Sequence, residues 1–184
     1  RLAAKQVDGI LVADYDICQH LQPDKSKGSL LIEGENLPVV TIDWPGCTSY
    51  SVLIDLKMAG HLATRHLIKH GHQRIGLITF VVDAENVTPV NSGYEQALKE
   101  YGLTVDPSLV ARVPGFDIAS GAEGAKKLLA QKEPPTAIFA IADMLALGAM
   151  QAIKQAGLQI PTDIALVGFN DIPTAALVDP ALTT

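Results

Sequence analysis

The hydrophobic period of this chain changes at regular intervals, and that change restricts the fold more than any other feature. Short runs rich in Val and Ile alternate with stretches of helical spacing, the pattern of βα units stacked around a parallel sheet. Strands are expected at residues 7–13, 39–43, 74–80, 109–113, 136–142 and 164–169. Their continuous apolar character suits strands covered on both faces. Helices are expected at 57–69, 91–101, 119–131 and 143–156. Asp55 can cap the first of these, Leu62, His66 and Leu67 are read as its inner face, and Gly71 is read as its left-handed stop. Gly102, the Pro134-Pro135 pair and Gly157 end the other three. Residues 19–38 are polar apart from Leu30 to Ile32 and read as a weak helix or loop. A lobe boundary is placed near Asp55, giving segments 1–55 and 56–184.

Composition narrows the function classes. With 48% hydrophobic and 18% charged residues, the 184-residue chain has enough apolar material for a substantial core and too little charge for disorder. The net charge is −6 and the 14 Lys and Arg are scattered, so no basic stripe is available to neutralise a row of DNA phosphates. Cys18 and Cys47 make neither a disulfide framework nor a tetrahedral metal site, which suits reduced thiols in the cytosol. Residues 136–153 are apolar enough to suggest a membrane span, but Asp143 interrupts them and two prolines precede them, so a buried strand and helix fit better. The opening residues, Arg1 to Lys5, carry no secretory pattern, which speaks against export.

In open parallel sheets a ligand lies beyond the carboxyl ends of the strands. The residues that follow the expected strands are therefore the candidate site: Asp14 and Tyr15, Asp43 and Trp44, the stretch from Asp83 to Val90, Phe116 and Asp117, Asp143, and Asn170 and Asp171. This mixture of carboxylates, amides and rings suits a small polar molecule. Asp143 is by position a helix cap, and Asn170 is an ordinary turn residue. No GxxxxGK[ST], GxGxxG or GxSxG motif is present. His66 and His70 stand four apart, a spacing that can bind metal, but no third ligand is apparent and a plain surface or core pair is the expected reading. No cofactor, metal or catalytic residue is expected.

Three stretches together resemble the LacI/GalR family of bacterial regulators: IDLKMAGHLATRHLIKHGHQRIGLI from Ile54, PPTAIFAIADMLALGAMQAIKQAGLQI from Pro134, and the closing segment with IALVGFNDIP and DPALTT. With VDGILV at Val7, the resemblance runs through nearly the whole chain in order. It implies a two-lobed α/β fold like that of periplasmic binding proteins, with parallel sheets flanked by helices and the first lobe incomplete here. It also implies a cytoplasmic repressor core, not an enzyme, that binds a sugar or related metabolite between its lobes. Such a core is a homodimer, away from any membrane, and acts on operator DNA through a headpiece absent from this chain. The resemblance assigns ligand contact to Asp143 and Asn170, and to an aromatic ring at Phe116; Trp44 and Asp14 are added from their places after strands.

Two positions depart from the family pattern. Val90 stands where relatives often have Arg, and Ala142 where they have Asn. Losing a guanidinium and an amide removes donors that hydroxyl-rich ligands need, which points to a less polar or unusual ligand. Two other classes share the sheet. A periplasmic sugar-binding protein of a transporter would carry a signal peptide upstream, and a Rossmann-like enzyme would need the glycine loops that are missing here.

Overall fold

The computed structural model describes residues 7–13, 29–32, 35–42, 50–80 and 88–184. The chain divides into two compact units, Arg1–Asp55 and Leu56–Thr184.

Among its described residues the first unit holds four strands: β1 (Ile10–Val12), β2 (Ser29–Ile32), β3 (Glu35–Ile42) and β4 (Tyr50–Val52). β3 is central to the pairing. It runs parallel to β1, with Ile10 opposite Val39, and parallel to β4, with Val40 opposite Tyr50. Leu37, Val39 and Thr41 are buried while Pro38 and Ile42 are exposed, the alternation of a strand with one covered face. The weak helix or loop expected over 19–38 is corrected at its end, where Ser29–Ile32 pairs antiparallel with β3 and Ile32 lies opposite Glu35. A three-residue apolar run, Leu30 to Ile32, carries little period of its own. Its partner strand supplies the hydrogen bonds that hold it extended.

The second unit is a series of parallel βα units: α1 (Leu56–Lys69), β5 (Ile75–Phe80), α2 (Pro89–Glu100), β6 (Val110–Val113), α3 (Ile118–Leu129), β7 (Ala137–Ala140), α4 (Asp143–Gln155) and β8 (Ala165–Val167). The sheet order is β6-β5-β7-β8 and every pairing is parallel. The apolar stretch 136–153 is thus a buried strand followed by a helix, and no described helix is long and apolar enough to cross a membrane. Right-handed crossovers put α2 on one face of the sheet and α3 and α4 on the other. The packing agrees, since α1 lies against α2 and α3 against α4. The core between these layers includes Ile75, Leu77, Ile78, Leu98, Ile138, Phe139, Leu145 and Ile153, all buried. Tyr94, also in this core, donates its hydroxyl to the Ile75 carbonyl at 2.7 Å, so the ring is buried without an orphaned polar atom.

Both helix pairs close on glycine. A side chain at Gly60 of α1 would collide with the Val90 carbonyl of α2, and one at Gly93 of α2 with the Lys57 carbonyl of α1. The same reciprocity joins Gly121 of α3 to the Leu145 carbonyl of α4 and Gly148 of α4 to the Ile118 carbonyl of α3. This contact also corrects the inner face expected for α1. Gly60, Thr64 and Leu67 are the buried residues, whereas Leu62 and His66 face outward. The helix is rotated so that its glycine meets the neighbouring backbone, and Thr64 returns its hydroxyl to the Gly60 carbonyl at 2.8 Å. Gly71, with φ +92°, ends α1 in the left-handed conformation expected of it.

Replacing Gly121 by Ala should therefore cost about 1–3 kcal/mol, the usual penalty of overpacking a close contact. Urea denaturation followed by circular dichroism should show a lower midpoint for Gly121→Ala, and an unchanged midpoint would mean that the α3–α4 crossing can open without loss.

Candidate functional site

Because all four strands of the second sheet run the same way, their carboxyl ends share one edge. The order β6-β5-β7-β8 places the reversal of winding between β5 and β7, where open α/β sheets hold their ligands. The elements at that edge come from distant parts of the sequence, and local chemistry fixes each of them.

Phe80 ends β5, and Phe116 follows β6. Their rings lie 4.6 Å apart and tilted by 32°, a favourable aromatic geometry. Phe116 remains half exposed at 50%, so a face of this pair is open to solvent. Asp117, next in sequence, is the cap of α3 and accepts the Ser120 amide at 2.7 Å. That backbone hydrogen bond, then the Ser120 hydroxyl, holds the Asp117 carboxyl below the ordinary aspartate range.

After β7 the chain enters α4 through Asp143, and here the cap expected from position gives way to another arrangement. Ala142 is the capping residue, without a side-chain hydrogen bond, and Asp143 is the first residue of the helix. Its side chain is fully buried. Oδ2 accepts the Ile172 amide at 2.9 Å, while the Asp143 amide donates to the Phe169 carbonyl at 2.8 Å. Oδ1 is buried without a hydrogen-bond partner among the described residues and lies where a side chain at Gly168 would have to go. The carboxylate thus fastens the loop after β8 from beneath.

That loop carries the most unusual backbone at the edge. Asn170 and Asp171 are both exposed and both left-handed, with φ of 115° and 54°. Non-glycine residues in this region typically cost about 1–3 kcal/mol each and persist only where the surroundings hold them. Three such ties are present: the two hydrogen bonds to Asp143, and the Asp171 amide to Thr184 Oγ1 at 3.2 Å. Beside them the Gly168 amide donates to the Thr183 carbonyl at 2.8 Å, so the closing segment runs along β8.

The sequence-derived residues therefore separate into groups. Phe116 and Asn170 stand exposed at the edge, each at the end of a different strand. Asp143 is at the same edge but sealed under the loop. Val90 lies in the first turn of α2, is 5% exposed and packs into the apolar core. Trp44 and Asp14 lie outside the described residues, as do Tyr15, Asp43 and Asp83. Two participants escaped the sequence reading, Phe80 and the Ile172 amide. An aromatic residue closing a strand at the shared edge is a signal that could have found Phe80, whereas nothing local marks Ile172. A cavity of about 510 Å³ also exists, but at the opposite edge, between Arg74, Tyr94, Leu98 and Leu103. Its cation is already engaged, since Arg74 pairs with Asp106 at 3.1 Å and donates to the Glu133 carbonyl.

The profile of the periplasmic binding protein-like domain family matches residues 64–184. The chain is 36% identical over 184 residues to the HTH-type transcriptional repressor PurR of Haemophilus influenzae (strain PittEE), with all of this chain and 53% of the relative covered. It therefore spans about half the length of the curated relatives it matches. Among solved structures, it is similar to the Escherichia coli transcriptional repressor ascG, with TM-score 0.78, 30% identity, and 98% of this chain and 64% of that one covered. A sugar-binding transcriptional regulator of the LacI family from Escherichia coli, solved with phosphate, gives TM-score 0.76 and 28% identity, with 98% and 63% covered.

Asp143→Ala should cost about 1–3 kcal/mol by leaving the Ile172 amide without its acceptor, and hydrogen exchange should speed up at Ile172 before it does in β7. Unchanged protection at Ile172 would refute the fastening role. Asp117 contributes stability at pH values above the ordinary aspartate pKa of about 4. Because its folded value is depressed, that contribution is lost only as pH falls through the lower folded value. Asp117→Asn should flatten the acid limb of the stability profile, and an identical limb in both proteins would show that the cap carries no linked proton.

Proposed function

We propose that the chain, which belongs to the periplasmic binding protein-like domain family, is the effector-binding core of a LacI/GalR-type regulator, sensing a small metabolite and passing its presence to DNA-binding headpieces carried elsewhere in the whole protein. The observation that carries this reading is the strained Asn170-Asp171 loop, pinned from beneath by Asp143 at the carboxyl edge of the sheet. Strain held at such an edge supports a role in gripping a ligand. Asn170 offers a donor and an acceptor, and Phe116, backed by Phe80, offers an apolar face. Asp143 acts by fixing the loop, and Val90 supports α2 from within the core.

The effector is proposed to be a metabolite with an apolar or aromatic face and few hydroxyls. Val90 and Ala142 supply neither of the polar groups that a hydroxyl-rich sugar would use. One of the similar structures is described as sugar-binding, so sugars belong in the test. The similarity to transcriptional repressors supports a cytoplasmic, non-catalytic role with a homodimer as the working unit and operator DNA as the second partner. An effector that prefers one state of the whole protein by about 1–3 kcal/mol would change DNA affinity roughly 5- to 150-fold.

A thermal-shift screen of sugars, nucleosides and small acids should yield a stabilising compound, and calorimetry with that compound should show Phe116→Ala and Asn170→Ala each weakening binding about tenfold or more, equivalent to ~1.4 kcal/mol. If both variants bind the compound as the parent chain does, the edge formed by β6 and β8 is not the effector site.

A further inference from the structure

The outward face of α1 carries a feature that the sensing role leaves unused. His66 and His70 are one helical turn apart, both exposed, with ring centroids 4.4 Å apart. We propose that these two imidazoles form a surface site for a divalent transition-metal ion of the Cu²⁺, Ni²⁺ and Zn²⁺ class.

Two features favour it. Nδ1 of His70 lies 2.9 Å from the His66 carbonyl oxygen. A carbonyl can only accept, so the proton of the neutral ring sits on Nδ1 and the lone pair on Nε2. A ring nitrogen anchored to a carbonyl while the other faces solvent is the support that metal-binding histidines use. His66 also lies in the last turn of α1 and His70 directly follows it, at the end where the helix dipole favours a cation. Lys69 in the same turn opposes this.

The geometry also limits what the site can be. Imidazole nitrogens hold such an ion at about 2.0–2.1 Å, and the two ring centroids lie 4.4 Å apart. Among the described residues no group of three or more His, Cys, Asp or Glu surrounds a common point, so water must complete the coordination shell. His72, whose Nδ1 lies 3.1 Å from Thr136 Oγ1, forms no three-residue group with the pair. It is assigned no bond to the metal. Affinity should follow the series for imidazole ligands, with Cu²⁺ tightest, Ni²⁺ and Zn²⁺ weaker, and Mg²⁺ negligible.

The test is calorimetric titration of the chain with CuCl₂, NiCl₂, ZnCl₂ and MgCl₂ in a Cys18→Ser, Cys47→Ser, His20→Ala background, which removes ligands outside the described residues. His66→Ala and His70→Ala should each weaken Ni²⁺ binding about tenfold or more, while His72→Ala and His61→Ala leave it unchanged. Circular dichroism verifies the fold of each variant, and His70→Gln provides a second substitution if His70→Ala disturbs the helix end. Binding that survives both exposed substitutions, that falls equally with His72→Ala, or that Mg²⁺ matches would overturn the proposal. None of these readouts involves the effector, so the site and the sensing role stand or fall separately.

Discussion

The second unit depends on backbone meeting backbone at two helix crossings. Gly60 and Gly93 let α1 and α2 approach on one face of the sheet, and Gly121 and Gly148 do the same for α3 and α4 on the other. Interiors pack near crystal density, so a crossing this close sets the rotation of each helix and leaves little freedom to adjust. The rotation of α1 follows from it, and so does the outward position of His66 and His70. The first turns of α2 and α4, which start at the carboxyl edge, are placed by the same contacts.

From that scaffold the edge gains its particular character. β5, β6, β7 and β8 end side by side, but the residues beyond them do different work. The Phe80 and Phe116 rings form an apolar platform. Asp143 gives up both capping and solvent contact to hold a backbone amide. In exchange the loop can keep two left-handed residues exposed, Asn170 and Asp171. A buried carboxylate with one oxygen unpartnered among the described residues is a demanding feature to keep, and its effect here is to hold the exposed Asn170-Asp171 turn in place.

The relation to sequence is uneven in an instructive way. The strands β5 to β8 and the four helices α1 to α4 of the second unit were readable because each carries its own period and its own stop, and the left-handed stop at Gly71 is a property of one residue. The weak points were elements whose identity is borrowed from a partner. β2 is a strand because β3 lies beside it, and the buried face of α1 is chosen by Gly93 and Val90 on another helix. The family could be named from ordered motifs, since order and spacing survive where single residues have changed.

For the site, the sequence by itself determined which residues follow strands, that Phe116, Asp143 and Asn170 belong to one edge, and that donors common in the family are missing at Val90 and Ala142. These are consequences of chain order and residue chemistry. Only the tertiary structure decided that Asp143 is sealed beneath a loop, that Val90 is core, that Phe80 backs Phe116, and that Asn170 is held in a strained conformation. Each of those facts depends on contacts between segments tens of residues apart, and a linear pattern records what a residue can do but not which neighbour will claim it.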